Sequence, residues 1–151
     1  DSDNAKVYQN NAENYIKKLD TLDKQYANTI QNAKYKAILF GDRFTFRYMV
    51  DDYDLKYYAA FVGCSAETMA GFETVTFLAN KADELKLPVI LTIENSDGRI
   101  ADAIKSNTTK KNQRIMAMNS LQSVTKEQLA DGITYLQVMQ ENLSVLREAL
   151  N

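Results

Sequence analysis

The chain has 151 residues, 45% apolar and 25% charged, with one Pro, five Gly, one Cys, no His and a formal net charge of -2. That length supports one domain with a real core rather than two, and the scarcity of Pro and Gly excludes disorder and a turn-dense all-β fold. Lys and Arg are spread along the chain, so it lacks the electrostatic footprint of a nucleic-acid binder or of a protein held on an acidic membrane surface.

Asp1-Ser2-Asp3-Asn4-Ala5 lacks an initiator Met and reads as a helix cap already in progress. The expectation is a piece of a longer protein, with any targeting signal upstream. From about Asp3 to Gln31 there is no Gly or Pro, and Val7, Ala12, Tyr15, Ile16, Leu19, Leu22, Tyr26 and Ile30 recur at three- and four-residue steps. This spacing predicts a long amphipathic helix. At 1.5 Å per residue it spans roughly 40 Å, which suits either a bridge between two lobes or one packed helix on a small sheet.

Four continuous apolar runs follow, at Tyr35 to Phe40, Tyr57 to Val62, Val89 to Ile93 and Ile115 to Met118. Continuity rather than alternation predicts strands buried on both faces of a parallel sheet. Helical patterns separate them: a short one over Phe44 to Tyr53, a longer one over Glu67 to Lys86, and one over Arg99 to Asn107. A last helix is expected from a cap at Thr125, with Glu127 or Gln128 near its third position, through Leu150. Pro88 precedes the third run, where its missing N–H does no harm. The fold class is therefore α/β, a four-stranded parallel sheet with helices on both faces, preceded by a long helix. The expected organisation is a linker or backbone helix over residues 1–32 and an α/β lobe over residues 33–151. No run approaches the roughly 20 apolar residues of a transmembrane helix.

Ligands of such sheets bind beyond the carboxyl ends of the strands. Four loops meet there: Gly41-Asp42-Arg43, Gly63-Cys64-Ser65-Ala66-Glu67, Glu94-Asn95-Ser96-Asp97-Gly98 and Asn119-Ser120. Asp42, Glu94 and Asp97 are acceptors on this rim, and Glu67 is expected in a helical first turn, where the dipole favours an acid. Each also has a purely structural reading, as a helix cap or an acceptor for loop amides. With no His, neither a Ser-His nor a Cys-His pair can form, and Cys64 has no cation beside it in sequence to lower its pKa. No Gly-rich phosphate loop occurs. These absences point away from an enzyme. An acidic residue after a strand raises a phosphoryl-accepting receiver domain, but the acidic pair and the late Lys of such domains are missing. A metal site built from this chain would use oxygen donors, which suit hard cations better than zinc.

The segments Gly41-Asp42-Arg43-Phe44-x-Phe46-Arg47-Tyr48-x-Val50-Asp51-Asp52-Tyr53, Tyr58-Ala59-Ala60-Phe61-x-Gly63-Cys64-Ser65-Ala66-Glu67-Thr68 and Asn119-Ser120-Leu121-Gln122-Ser123 occur in that order. Together they resemble the carboxyl-terminal lobe of zinc/manganese ABC-transporter substrate-binding lipoproteins, most of all a subgroup from Gram-positive gut bacteria. The resemblance covers essentially the whole chain. It implies half of an extracytoplasmic, lipid-anchored solute-binding protein that captures Zn or Mn between two lobes and delivers it to an ABC permease. Its partners would be an amino-terminal lobe, which supplies two His ligands, and the permease. This lobe would supply a ligand after its first strand and an acid after its last, positions that fall at Asp42 and at Asn119, a neutral amide. Glu67, Glu94 and Asp97 are further rim candidates, and the fragment alone is expected to bind metal poorly. A non-catalytic docking domain with a degenerate metal site is the alternative.

Overall fold

The computed structural model describes residues 1–62 and 70–151. After a single 3-10 turn at Ser2–Asn4, helix α1 runs Ala5–Gln31, followed by β1 (Ala37–Phe44), α2 (Arg47–Asp52), β2 (Lys56–Val62), α3 (Phe72–Glu84), β3 (Val89–Ile93), α4 (Arg99–Asn107), β4 (Arg114–Met118), α5 (Lys126–Ala130) and α6 (Tyr135–Leu150). The sheet is four-stranded and parallel, in the order β2-β1-β3-β4. Helices α1, α2 and α6 cover one face through Leu22, Tyr26, Ile30, Val50, Leu143 and Leu146. Helices α3 and α4 cover the other through Val75, Leu78, Ala82, Ala101 and Ile104. The α/β class and the long first helix expected from the apolar spacing are therefore present.

Local chemistry explains where the elements stop. The Lys36 ammonium donates to the carbonyls of Ile30 and Gln31 at 2.6 and 2.8 Å, satisfying acceptors that the end of α1 leaves open. The elements differ from the sequence expectation in several places. The first strand begins at Ala37 and extends to Phe44, so Phe44 is a strand residue and the short helix starts at Arg47. The third helix runs Phe72–Glu84, so Ala70 and Gly71, expected within it, precede it, and the expected start at Glu67 lies outside the described residues. The last helix is two helices. The expected cap at Thr125 is there, with its full reciprocal box to Gln128, but Gly132 at φ +73° ends the first helix and Thr134 caps the second by accepting from the Gln137 N–H. Finally, β4 is not buried on both faces: it is an edge strand that exposes Arg114 and Ala117.

The order β2-β1-β3-β4 sets the location of the crevice. From β1 the chain moves to one side to form β2, then crosses back over β1 to form β3, so the connection reverses direction between β1 and β3. Such a switch point opens a crevice at the carboxyl ends of those two strands. Here β1 and β3 run parallel as neighbours, with Phe40 opposite Leu91.

Candidate metal centre

The end of β1 is irregular in the way that functional strand ends often are. Phe40 pairs with Ala59 and Arg43 with Phe61, so three steps on β1 oppose two on β2 and the bulge falls at Gly41 and Asp42. A bulge re-aims side chains and bends its strand. Gly41 is required by packing: a Cβ added there would lie 2.6 Å from the Ala101 Cα on α4. The strand is thus pressed against the first turn of α4 at the residue preceding Asp42.

Asp42 is 9% exposed. Its Oδ1 accepts the Arg43 N–H at 2.7 Å, with the Arg43 Nε 3.9 Å away. Among the described residues its Oδ2 is buried without a hydrogen-bond partner, and so is the Oγ1 of Thr45 three residues on. A buried carboxylate oxygen left unpaired carries a desolvation cost that a cation would offset. The Asp42 carboxylate, near the carboxyl end of β1, is an oxygen donor of the kind that suits a hard or borderline cation.

The other rim residues are occupied. Both Glu94 oxygens are engaged by Ser120, one accepting the backbone N–H and the other the hydroxyl, each at 2.6 Å. Glu94 therefore ties the end of β3 to the loop after β4, as an acceptor for loop groups does. Asp97 accepts the Arg99 N–H at 3.1 Å and pairs with the Arg99 Nε at 3.2 Å, with its side chain 65% exposed. Asn119 Oδ1 accepts the Leu121 N–H at 2.8 Å, in a turn that holds Leu121 at φ +61°. Glu67 and Cys64 lie outside the described residues. The tyrosines near the rim divide: Tyr48 is exposed, whereas Tyr53, Tyr57 and Tyr58 are half-buried, Tyr57 stacking on Phe44 at 3.8 Å.

One contributor was not identified from the sequence. Asn142 on α6 is 2% exposed and grips the Asn119 backbone, accepting its N–H and donating to its carbonyl, both at 2.8 Å. Its signal was available: a lone amide within the apolar face that carries Val138, Leu143 and Leu146. Among the described residues no three His, Cys, Asp or Glu side chains come together as a metal-binding group.

The profile of a family described as "Zinc-uptake complex component A periplasmic" matches residues 1–149. The high-affinity zinc uptake system protein ZnuA of Bacillus subtilis is 29% identical over 99% of this chain and 46% of its own length. The zinc-binding lipoprotein AdcA of Streptococcus pneumoniae is 30% identical over 97% of this chain and 28% of its own. Among solved structures, the metal-dependent lipoprotein YcdH of B. subtilis superposes with a TM-score of 0.81 at 29% identity, over 99% of this chain and 55% of that one. The Zn(II)-bound ZnuA-like domain of S. pneumoniae AdcA superposes with a TM-score of 0.75 at 28% identity, over 99% and 54%. The chain thus spans about half, or less, of the length of these relatives.

Proposed function

The chain belongs to the family of the periplasmic zinc-uptake complex component A, and from that membership we propose that it is the carboxyl-terminal half of a two-lobed binding protein. That protein captures Zn(II) or Mn(II) outside the cytoplasm and passes it to an ABC permease. In this reading residues 1–32 are the backbone helix between lobes and residues 33–151 the second lobe. The observation that carries it is the Oδ2 of Asp42, buried and without a partner among the described residues, on the strand beside the switch point of the sheet. Asp42 supplies a charged oxygen ligand. Asn119 contributes its side-chain carbonyl oxygen, which would coordinate in addition to or in place of its bond to the Leu121 N–H, and the upstream lobe completes the set. Glu94 and Asp97 hold the rim in shape, and no catalytic role is assigned to any residue.

Zinc accepts oxygen ligands at about 2.0–2.2 Å and is usually four-coordinate, so one carboxylate and one amide from this half leave two positions for the other. Calorimetric titration of zinc and of manganese into the chain extended upstream to the length of its relatives tests the proposal. Tight one-to-one binding that Asp42→Ala weakens by about tenfold or more supports it. Absence of binding in the parent chain would favour the second reading, a docking domain that has kept the lobe and lost the metal, for which the lack of a three-ligand group among the described residues speaks.

A further inference from the structure

Leu121 holds a backbone conformation that leucine disfavours. Among the described residues Asp54, Lys86, Asn95, Lys111 and Leu121 have a positive φ without being glycine, and Leu121, at +61°, is the apolar one. Asn and Asp visit the left-handed region with help from a short polar side chain, whereas an apolar side chain crowds the neighbouring carbonyl with nothing to compensate. Such a conformation persists only where its surroundings over-determine it.

The surroundings of Leu121 do so from both sides. Ahead of it, Asn142 clamps the Asn119 backbone with two bonds of 2.8 Å, and Glu94 holds Ser120 by its N–H and its hydroxyl at 2.6 Å each. Behind it, the Ser123 hydroxyl accepts the Asn95 side-chain amide at 2.9 Å. Ser120 and Ser123 are thus tied to adjacent residues of the loop after β3, and the chain turns back between them. The Ser120 hydroxyl accepts the Gln122 N–H at 3.4 Å, in a turn with Leu121 at its centre. The remaining restraint is Asn119 Oδ1, which accepts the Leu121 N–H at 2.8 Å.

We propose that Leu121 is a positioning residue for the metal centre: its strained backbone lowers the cost of transferring Asn119 Oδ1 from the Leu121 N–H to the metal. This rests on the metal-capture reading above and describes how that site loads. When the oxygen leaves, Leu121 loses a restraint and relaxes toward the ordinary backbone regions. The strain of one left-handed residue and the net worth of one hydrogen bond are of similar size, so relief of the first offsets loss of the second. Leu121→Gly makes the left-handed turn comfortable. It therefore holds Asn119 Oδ1 more firmly on the Leu121 N–H, and affinity for the metal falls although no ligand has changed.

Amide exchange read by NMR and zinc titration test this on the chain extended upstream to the length of its relatives, with Leu121→Gly, Asn119→Ala and the double variant. In Leu121→Gly the N–H of residue 121 should be about fivefold better protected than in the parent, after correction for intrinsic exchange, and zinc affinity should fall about fivefold. Leu121→Asn, whose side chain tolerates the left-handed region, should move both quantities the same way by less. In the Asn119→Ala background the glycine should leave zinc affinity within about twofold, because the oxygen whose transfer it opposes is gone. Three results overturn the proposal: protection at residue 121 that does not rise in Leu121→Gly, zinc affinity that does not fall, or a fall equally large in the Asn119→Ala background. If the parent itself binds no zinc, the metal reading falls, and the exchange result alone decides whether strain at Leu121 opposes the Asn119 bond.

Discussion

Asn142 on α6 holds Asn119 at the end of β4 by both ends of one side-chain amide, with hydrogen bonds of 2.8 Å to its N–H and its carbonyl. Asn142→Ala leaves a backbone donor and acceptor unpaired beside the core, at a cost of about 2–4 kcal/mol. The urea midpoint should fall with its slope unchanged, and Asn142→Asp, which keeps the acceptor but sets a buried carboxylate against the Asn119 carbonyl, should fall at least as far as alanine. A change of under about 0.5 kcal/mol in Asn142→Ala would show that water replaces the amide there.

Glu94 distinguishes a clamp from a ligand. Because Ser120 occupies both of its oxygens, Glu94→Gln should lower stability by about 1–2 kcal/mol. Zinc affinity of the longer chain should stay within about threefold, a difference of under 1 kcal/mol. Lost affinity at unchanged stability would place Glu94 on the metal instead.

Gly41→Ala places a methyl 2.6 Å from the Ala101 backbone. The bulge or α4 must move, which costs about 1–3 kcal/mol in a well-packed core. Since Asp42 is the next residue, metal affinity should drop as well. Double substitution with Ala101→Gly, which removes the 2.8 Å contact to the Ala101 methyl but not the one to its Cα, should recover only part of the loss.

Alkaline pH should loosen the α1–α2–α6 corner. Burial pushes the Tyr26 phenol well above the usual 10.0, aided by Tyr53 and Tyr135; Tyr53 is raised by burial, then by its bond to Asp23. Both pKa values are higher folded than unfolded. Their contribution is therefore complete below the unfolded value and is lost as pH climbs from about 10 toward the folded values, because the unfolded chain gives up those protons first. Urea titrations across that range should show stability falling, and Tyr53→Phe should flatten the fall. An equally steep fall in Tyr53→Phe would place the linkage elsewhere.

What the sequence disclosed follows from how strongly each feature is written in it. The helix over α1 and the core strands β1 and β3 were legible because their apolar spacing has no competing period, and the Thr125 box because a cap is a local signal. The break at Gly132 was missed because Leu129, Ile133 and Leu136 keep helical spacing across it, whereas the left-handed residue between them does not register as hydrophobicity. The end of β1 was placed early because Gly41 and Asp42 read as loop residues. Only the close approach of Ala101 explains why a glycine continues the strand. At the rim, Asp42, Glu94, Asp97 and Asn119 were all legible as polar residues after strands. Which oxygen is free and which is spent depends on partners such as Ser120 and Arg99, and that is decided by tertiary contact.

The central claim is that Asp42 Oδ2 is a metal ligand. The most direct test is anomalous diffraction from crystals of the zinc-loaded chain, extended upstream to the length of its relatives. The account predicts a zinc peak about 2.0–2.2 Å from Asp42 Oδ2, at the crevice between β1 and β3. A zinc ion bound elsewhere, with Asp42 Oδ2 still unliganded, would contradict it.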